Sequence, residues 1–307
     1  MQQNTLKAAI RIPGIGLHSG KPVRLAVLPA PAGHGIRFRR KDIVDRDPMV
    51  PALWTSIVAA RLNTTLRNAA GVEVATVEHL MAALAGMGVH NALVELDGPE
   101  LPIADGSAAR FVRAIRTVGL RRLEAPLTIL RVLRPIEVSA GDARAWLMPS
   151  DRFEVDFRID FADAAIGRQA LRLDMGGAAF GRELADSRTF CRLSEVEAMQ
   201  ANGLALGGNY ENAIVVDGAR VLSPGGLRHR DEFVRHKMLD AVGDLALAGA
   251  PILGRYVGIR AGHALTGQLV AALMTAPGAM ARETADAALA TRLPGPAPAP
   301  VGAARVA

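Results

Sequence analysis

Phe153-Glu154-Val155-Asp156-Phe157-Arg158-Ile159-Asp160-Phe161 places an apolar residue at every second position without a break. Successive side chains of a strand point to opposite faces, so this stretch presents one greasy face and one charged face, as a half-buried β-strand does. Outward from it, 252–259 reads as another strand, and 231–247 reads as a long helix stopped at Gly249. Ser194 with Glu197 fits a capping box with Gly203 as the stop, 212–216 fits a strand, and a last helix follows Gly262. Towards the N-terminus the alternation returns: Leu6, Ala8 and Ile10 share one face, as do Val23, Leu25 and Val27, and Ile36 and Phe38. A helix is expected over 76–87, closed by Gly88, then a strand over 92–96 running into the turn Asp97-Gly98-Pro99. Asp105-Gly106-Ser107 reads as the cap of a second helix ending near Gly119. Strands and helices in two such groups make an α+β chain. We expect an N-terminal α+β unit over 1–125, a second over 126–276, and an Ala/Pro-rich, disordered tail over 277–307, clearest in 294–307. Asn91-Ala92-Leu93-Val94 is echoed by Asn212-Ala213-Ile214-Val215, which fits two halves of similar plan.

The chain has 307 residues, half of them hydrophobic, enough for a sizeable core. Its net charge of +6 points to an anionic partner, yet no dense basic run occurs, and an Arg-rich composition accounts for the charge equally well. A single cysteine, Cys191, excludes an internal disulfide and Cys-based zinc fingers, so any metal must be held by His and carboxylates. No secretory signal and no apolar run of about 18–20 residues is visible, from which a cytoplasmic protein without a transmembrane segment is expected.

His236, Asp240 and Asp244 recur at i, i+4 and i+8, which puts them on one stripe of the expected long helix. A His and a carboxylate one turn apart can close on one metal ion; the same spacing also makes an ordinary surface contact. Glu78 and His79 are adjacent near a helix start, where a Glu-His pair can supply a base and a ligand, or a satisfied first-turn histidine. His263 lies where a strand hands over to a helix, either as an accessible imidazole or as a capping residue.

Several longer motifs carry more. Gly14-Ile15-Gly16-Leu17-His18-Ser19-Gly20, Thr76-Val77-Glu78-His79, Pro102-Ile103-Ala104-Asp105-Gly106-Ser107-Ala108, the segment 231–244, and Gly262-His263-Ala264-Leu265 together resemble the UDP-3-O-acyl-N-acetylglucosamine deacetylases, over about 6–273. The resemblance implies helices sandwiched between two sheets, with the active site at the junction. It implies Zn2+ on His79, His236 and Asp240, iron(II) being acceptable to the same ligands, with a fourth position left for water. Glu78 would act as general base, His263 as general acid oriented by Asp244, and the Thr189 hydroxyl would stabilise the oxyanion. Lys237, Phe190, Arg260, Leu62, Asn63 and Gly208 would contact a UDP-linked acylated amino sugar, and an insert over 193–222 would form an apolar passage for its acyl chain. Met148 stands where the family often has a lysine. The implied activity is release of acetate in lipid A biosynthesis by a monomeric enzyme that needs no nucleic acid. Two other classes compete: an iron(II) two-His-one-carboxylate oxygenase, whose ligands usually sit on an all-β scaffold, and an RNA-binding module, which leaves the His236, Asp240, Asp244 stripe unused.

Overall fold

The computed structural model describes residues 1–295 apart from Arg61. Its first half is built on a five-stranded sheet in the order Ile10–Ile15, Pro22–Pro29, Ala92–Leu96, Ile36–Arg40, Met49–Pro51. The second half is organised around Ile252–Ile259, which pairs in parallel with Phe153–Asp160 and Thr128–Val132 and antiparallel with Ala143–Met148. The uninterrupted alternation of 153–161 has its expected outcome: Phe153, Val155, Phe157 and Ile159 are buried.

Among the described residues six α-helices accompany the sheets: α1 (Glu78–Gly86), α2 (Ala109–Val118), α3 (Ala179–Glu183), α4 (Leu193–Ala201), α5 (Glu232–Leu245) and α6 (His263–Thr275). α2 packs on Ile10–Ile15, α5 on Phe153–Asp160, α6 on Ala143–Met148, and α1 meets both α2 and α5. α1, α2, α5 and α6 therefore lie between the two sheets, and one apolar cluster runs through both halves. The fold is α+β, as expected. α5 is buried on nearly every side, so the His236, Asp240, Asp244 stripe faces protein and not solvent.

Gly243 explains how closely α1 and α5 approach. A Cβ built on Gly243 would stand 2.1 Å from the Glu78 carbonyl oxygen. Ala normally gains about 1 kcal/mol over Gly inside a helix. Here overpacking at about 1–3 kcal/mol outweighs that gain, because the obstacle is backbone. Gly243→Ala is expected to lower the thermal midpoint; an unchanged or raised midpoint refutes the close crossing.

Three local expectations fail. Leu6, Ala8 and Ile10 do not share a face: the chain breaks after Leu6, Ala8 is exposed, and Gln2–Leu6 leaves to pair with Leu120–Pro126. The capping box sits two residues early, since α4 starts at Leu193 and Glu195, not Glu197, accepts from the Arg192 backbone N–H at 3.3 Å. The tail expected over 277–307 begins too early. Met280–Thr284 pairs antiparallel with Thr128–Val132, and Ala285, Leu289 and Leu293 join Leu127, Ile129 and Leu253 in a second apolar cluster. Sheet-edge pairing and a four-residue apolar spacing outweigh the Ala/Pro-rich composition there. Positions 296–307 of that expectation lie outside the described residues.

Candidate active site

α1 begins against its surroundings. Thr76 has φ +58°, a left-handed conformation costly for a β-branched residue. Two hydrogen bonds hold it: its hydroxyl donates to Glu100 Oε1 at 3.0 Å and accepts from Asn63 Nδ2 at 3.0 Å. Glu100 is buried and also accepts the His18 and Ser19 backbone N–H groups, both at 2.8 Å. The Gly16–Gly20 part of the Gly14–Gly20 motif is thus a loop wrapped on a buried carboxylate that fixes the turn into α1. That turn delivers Glu78 and His79 to the flank of α5.

His79 Nε2 lies 3.7 Å from Asp240 Oδ1, and His236 Nε2 lies 3.3 Å from the same oxygen. One ligand atom from each of the three residues falls within 4.8 Å of the others. The two imidazole rings meet edge to face, with centroids 5.1 Å apart. His236 Nδ1 lies 3.0 Å from the Ser187 carbonyl, so it donates there and leaves the Nε2 lone pair free. Burial pulls the His79 imidazole down to about 3, which keeps it neutral and able to ligate. Asp240 Oδ1 is buried without a hydrogen-bond partner. Burial would raise its carboxyl, but His236 and Lys237 together hold it well below the usual range. An orphaned carboxylate oxygen beside two free imidazole nitrogens fits a divalent cation. Bonds of ~2.0–2.1 Å in a tetrahedron give ligand separations of roughly 3.3 Å, close to those found. His79, His236 and Asp240 are the residues that would hold it.

Around this triad sit the remaining titratable groups. Burial pushes the Glu78 carboxyl up to about 7, against the opposing pull of His263. His263 Nδ1 lies 2.9 Å from Asp244 Oδ2. Burial alone would depress the His263 imidazole, but Asp244 and Asp240 raise it to about 9. Lys237 Nζ donates to Asp240 Oδ2 at 2.9 Å.

Thr64 ties these groups together, and sequence reasoning assigned it no role. Its backbone N–H donates to Glu78 Oε2 at 3.0 Å, and its hydroxyl donates to Asp244 Oδ1 at 2.5 Å. Thr64→Val keeps the shape and leaves a buried carboxylate oxygen unpaired, a change worth about 1–3 kcal/mol. The expected result is a fall in kcat with metal content unchanged, recovered in Thr64→Ser; equal losses in the Val and Ser variants refute a role for the hydroxyl.

A cleft of about 460 Å3 opens beside the triad, lined by Leu62, Thr189, Phe190, His236, Lys237, Asp240 and His263 among others. Thr189 is held there from both sides, its N–H donating to the Gly106 carbonyl and its carbonyl accepting from Ile214, each at 2.8 Å. Arg188 and Glu232 form a buried pair, Nε to Oε1 at 2.9 Å, which anchors the residue before Thr189 to the start of α5. Phe190 stacks edge to face on Phe233 and Phe161.

The other expected contacts lie elsewhere. Asn63 is engaged at both ends of its amide, by Thr76 and Thr65. Arg260 is tied to Asp160 at 2.7 Å and Asp142 at 3.3 Å. Gly208 belongs to the loop docked on Leu17. Met148 sits beside Arg255, whose Nη2 approaches its sulfur at 3.6 Å, so a cation does stand at that position of the sheet. Within the insert, Ile214 and Val216 are core residues, whereas Leu193 and Leu206 are exposed. Among the described residues no helix is long and apolar enough to cross a membrane.

Comparison with known proteins agrees with this geometry. A family model described as UDP-3-O-acyl N-acetylglycosamine deacetylase matches residues 3–275. The chain is 52% identical to the UDP-3-O-acyl-N-acetylglucosamine deacetylase of Phenylobacterium zucineum (strain HLK1), covering 91% of this chain and 95% of that one. It is 47% identical to the protein of that name from Anaeromyxobacter sp. (strain Fw109-5), with 95% of each covered. Against the one from Myxococcus xanthus (strain DK1622) it is 49% identical, covering 90% and 87%. With a metal-type triad at the helix crossing and a match spanning nearly its whole length, the chain belongs to the UDP-3-O-acyl N-acetylglycosamine deacetylase family of metal-dependent hydrolases.

Proposed function

We propose that this protein hydrolyses the acetamide of UDP-3-O-(3-hydroxyacyl)-N-acetylglucosamine, releasing acetate in lipid A biosynthesis, with Zn2+ on His79, His236 and Asp240. The observation that carries the reading is the unpartnered Asp240 oxygen beside two neutral imidazoles, with a carboxylate of raised pKa and a cationic imidazole around it. When bound, the ion supplies Lewis acidity and lowers the pKa of a coordinated water towards ~7. Glu78 takes a proton from the attacking water, its raised pKa matching that task near neutrality. Attack on the acetamide carbonyl carbon builds a tetrahedral oxyanion, to which the Thr189 hydroxyl donates. His263, kept cationic by Asp244, gives its proton to the departing amine as the C–N bond breaks. Acetate and a free sugar amine result. Residues 1–125 supply the base and one ligand; residues 126–276 supply the other two ligands and the acid. Lys237, Phe190 and Leu62 line the cleft where the sugar would lie. Exposed Leu193 and Leu206 on the insert suit a greasy acyl chain. In this reading Arg260, Asn63 and Gly208 contact substrate as well, beyond the residues that line the cleft. Cytoplasmic residence and a monomeric state belong to the same reading, and sedimentation of the purified protein tests the latter.

The direct test is acetate release from the UDP-sugar by purified protein, with metal analysis of the same sample. Turnover stopped by a chelator and restored by Zn2+ supports the reading; full turnover in metal-free protein overturns it. Restoration by iron(II) in preference to Zn2+ would reassign the ion alone. For pH, His263 has a raised value, so its proton is in place at neutrality and lost as pH rises through about 9. The rate is expected to fall over that range, and Asp244→Asn is expected to move the fall to lower pH. A profile with the same alkaline limb in that variant removes Asp244 from the role.

A further inference from the structure

The two halves line a second cavity, open on one side, of about 620 Å3. That lies within the ~300–1,000 Å3 typical of small-molecule sites. It shares no lining residue with the cleft beside the metal-type triad. Its floor is apolar and comes from the two crossing helices: Met81 and Leu84 from α1, Val242 and Leu245 from α5.

The polar part of the wall has one sign. Arg37 from the first half and Arg282 from the second, both solvent-exposed, line it, and no Asp or Glu does. Neither arginine has a carboxylate partner among the described residues. Their strand neighbours do: Arg39 pairs with Glu95, and Arg131 pairs with Glu283. His90 also lines the cavity, and its Nδ1 accepts the Asn4 N–H at 2.9 Å. The proton of the neutral ring is therefore on Nε2, which has no protein partner among the described residues. The wall thus offers two guanidinium groups and one N–H donor, and no anion of its own. A greasy floor with unpaired cations on the wall fits a molecule with an alkyl body and an anionic head.

We propose that this cavity binds a single-chain anionic amphiphile, a fatty acid or an alkyl phosphate. Its chain lies on the α1–α5 floor and its head meets Arg37 and Arg282. α1 also carries Glu78 and His79, and α5 carries His236, Asp240 and Asp244. A ligand wedged against Met81 and Val242 therefore bears on the helix pair that assembles the active site, and its occupancy alters turnover there. Binding itself does not depend on which reaction the active site performs.

The experiment is calorimetric titration of the full chain with laurate, dodecyl phosphate, dodecanol and dodecyltrimethylammonium, each below its micelle concentration. Saturable binding of one laurate or one dodecyl phosphate per chain is expected, with the neutral and cationic probes weaker by about tenfold or more. Whichever anion binds tighter assigns the head group. Arg37→Ala with Arg282→Ala is expected to weaken the anionic probes to the level of dodecanol, leaving acetate release unchanged when no fatty acid or alkyl phosphate is added. A filling variant, Ala85→Leu, is expected to reduce uptake of every probe. Equal binding of all four probes, or anion binding untouched by the arginine variant, overturns the proposal. So does displacement of laurate by the UDP-sugar, which would place it in the active cleft. Failure of the deacetylation assay would sink the assigned reaction and leave these binding results standing.

Discussion

Asp240→Asn is expected to yield folded protein with little bound metal and a loss of turnover of at least about 10³-fold. The magnitude follows from the several kcal/mol that a Lewis-acidic ion contributes to such a transition state, at about 1.4 kcal/mol per factor of ten. Asn keeps the volume of Asp and one carbonyl oxygen. It removes the charge that four neighbours share: His236 Nε2 at 3.3 Å, His79 Nε2 at 3.7 Å, His263 Nε2 at 3.8 Å and Lys237 Nζ at 2.9 Å. Lys237 is half-buried and loses its ion pair, so some loss of stability accompanies the loss of metal. Circular dichroism separates the two effects. Folded Asp240→Asn protein that retains stoichiometric metal and ordinary turnover would remove Asp240 from the ligand set.

Glu78→Gln is expected to lose about 10²–10⁴-fold in kcat while keeping its metal, the range for removal of a general base. Gln can still accept the Thr64 N–H that Glu78 Oε2 accepts at 3.0 Å, so the backbone around it is undisturbed. In the proposed assignment other side chains hold the metal, and KM is expected to change little, because Gln keeps the volume of Glu78 and its Thr64 contact. The contrast with Asp240→Asn carries the assignment: one variant loses the ion, the other keeps it, and both lose the reaction. Normal turnover in Glu78→Gln would require another base.

Much of the fold could be read from local pattern. Ile252–Ile259 has the bounds expected of it, and α5 starts and stops within two residues of its reading, because alternation, helical spacing and Gly249 act over short distances. The stripe of His236, Asp240 and Asp244 was legible for the same reason. That His79 joins it was not, since no periodicity links α1 to α5; only resemblance of motifs supplied the connection. Thr64 and Glu100 stayed hidden for another reason. Thr64 acts through a backbone N–H that every non-proline residue has and through a hydroxyl of common type. Glu100 acts by receiving such N–H groups. Neither leaves a spacing signature. The expected tail failed at Met280–Thr284 because pairing along Thr128–Val132 depends on a partner about 150 residues away.

The crossing of α1 over α5 has a consequence for how the newly made chain matures. The residues that would hold the ion are split, one imidazole on the earlier segment and two ligands on the later one, 157 positions from His79 to His236 (236 − 79). A nascent polypeptide with only its leading portion folded presents a lone imidazole, too few ligands to retain a divalent ion. With that ligand set, loading would be a late event, after both portions have docked through Gly243. Once in place, the ion would act as a rivet between them and raise the cost of their separation by its own binding free energy.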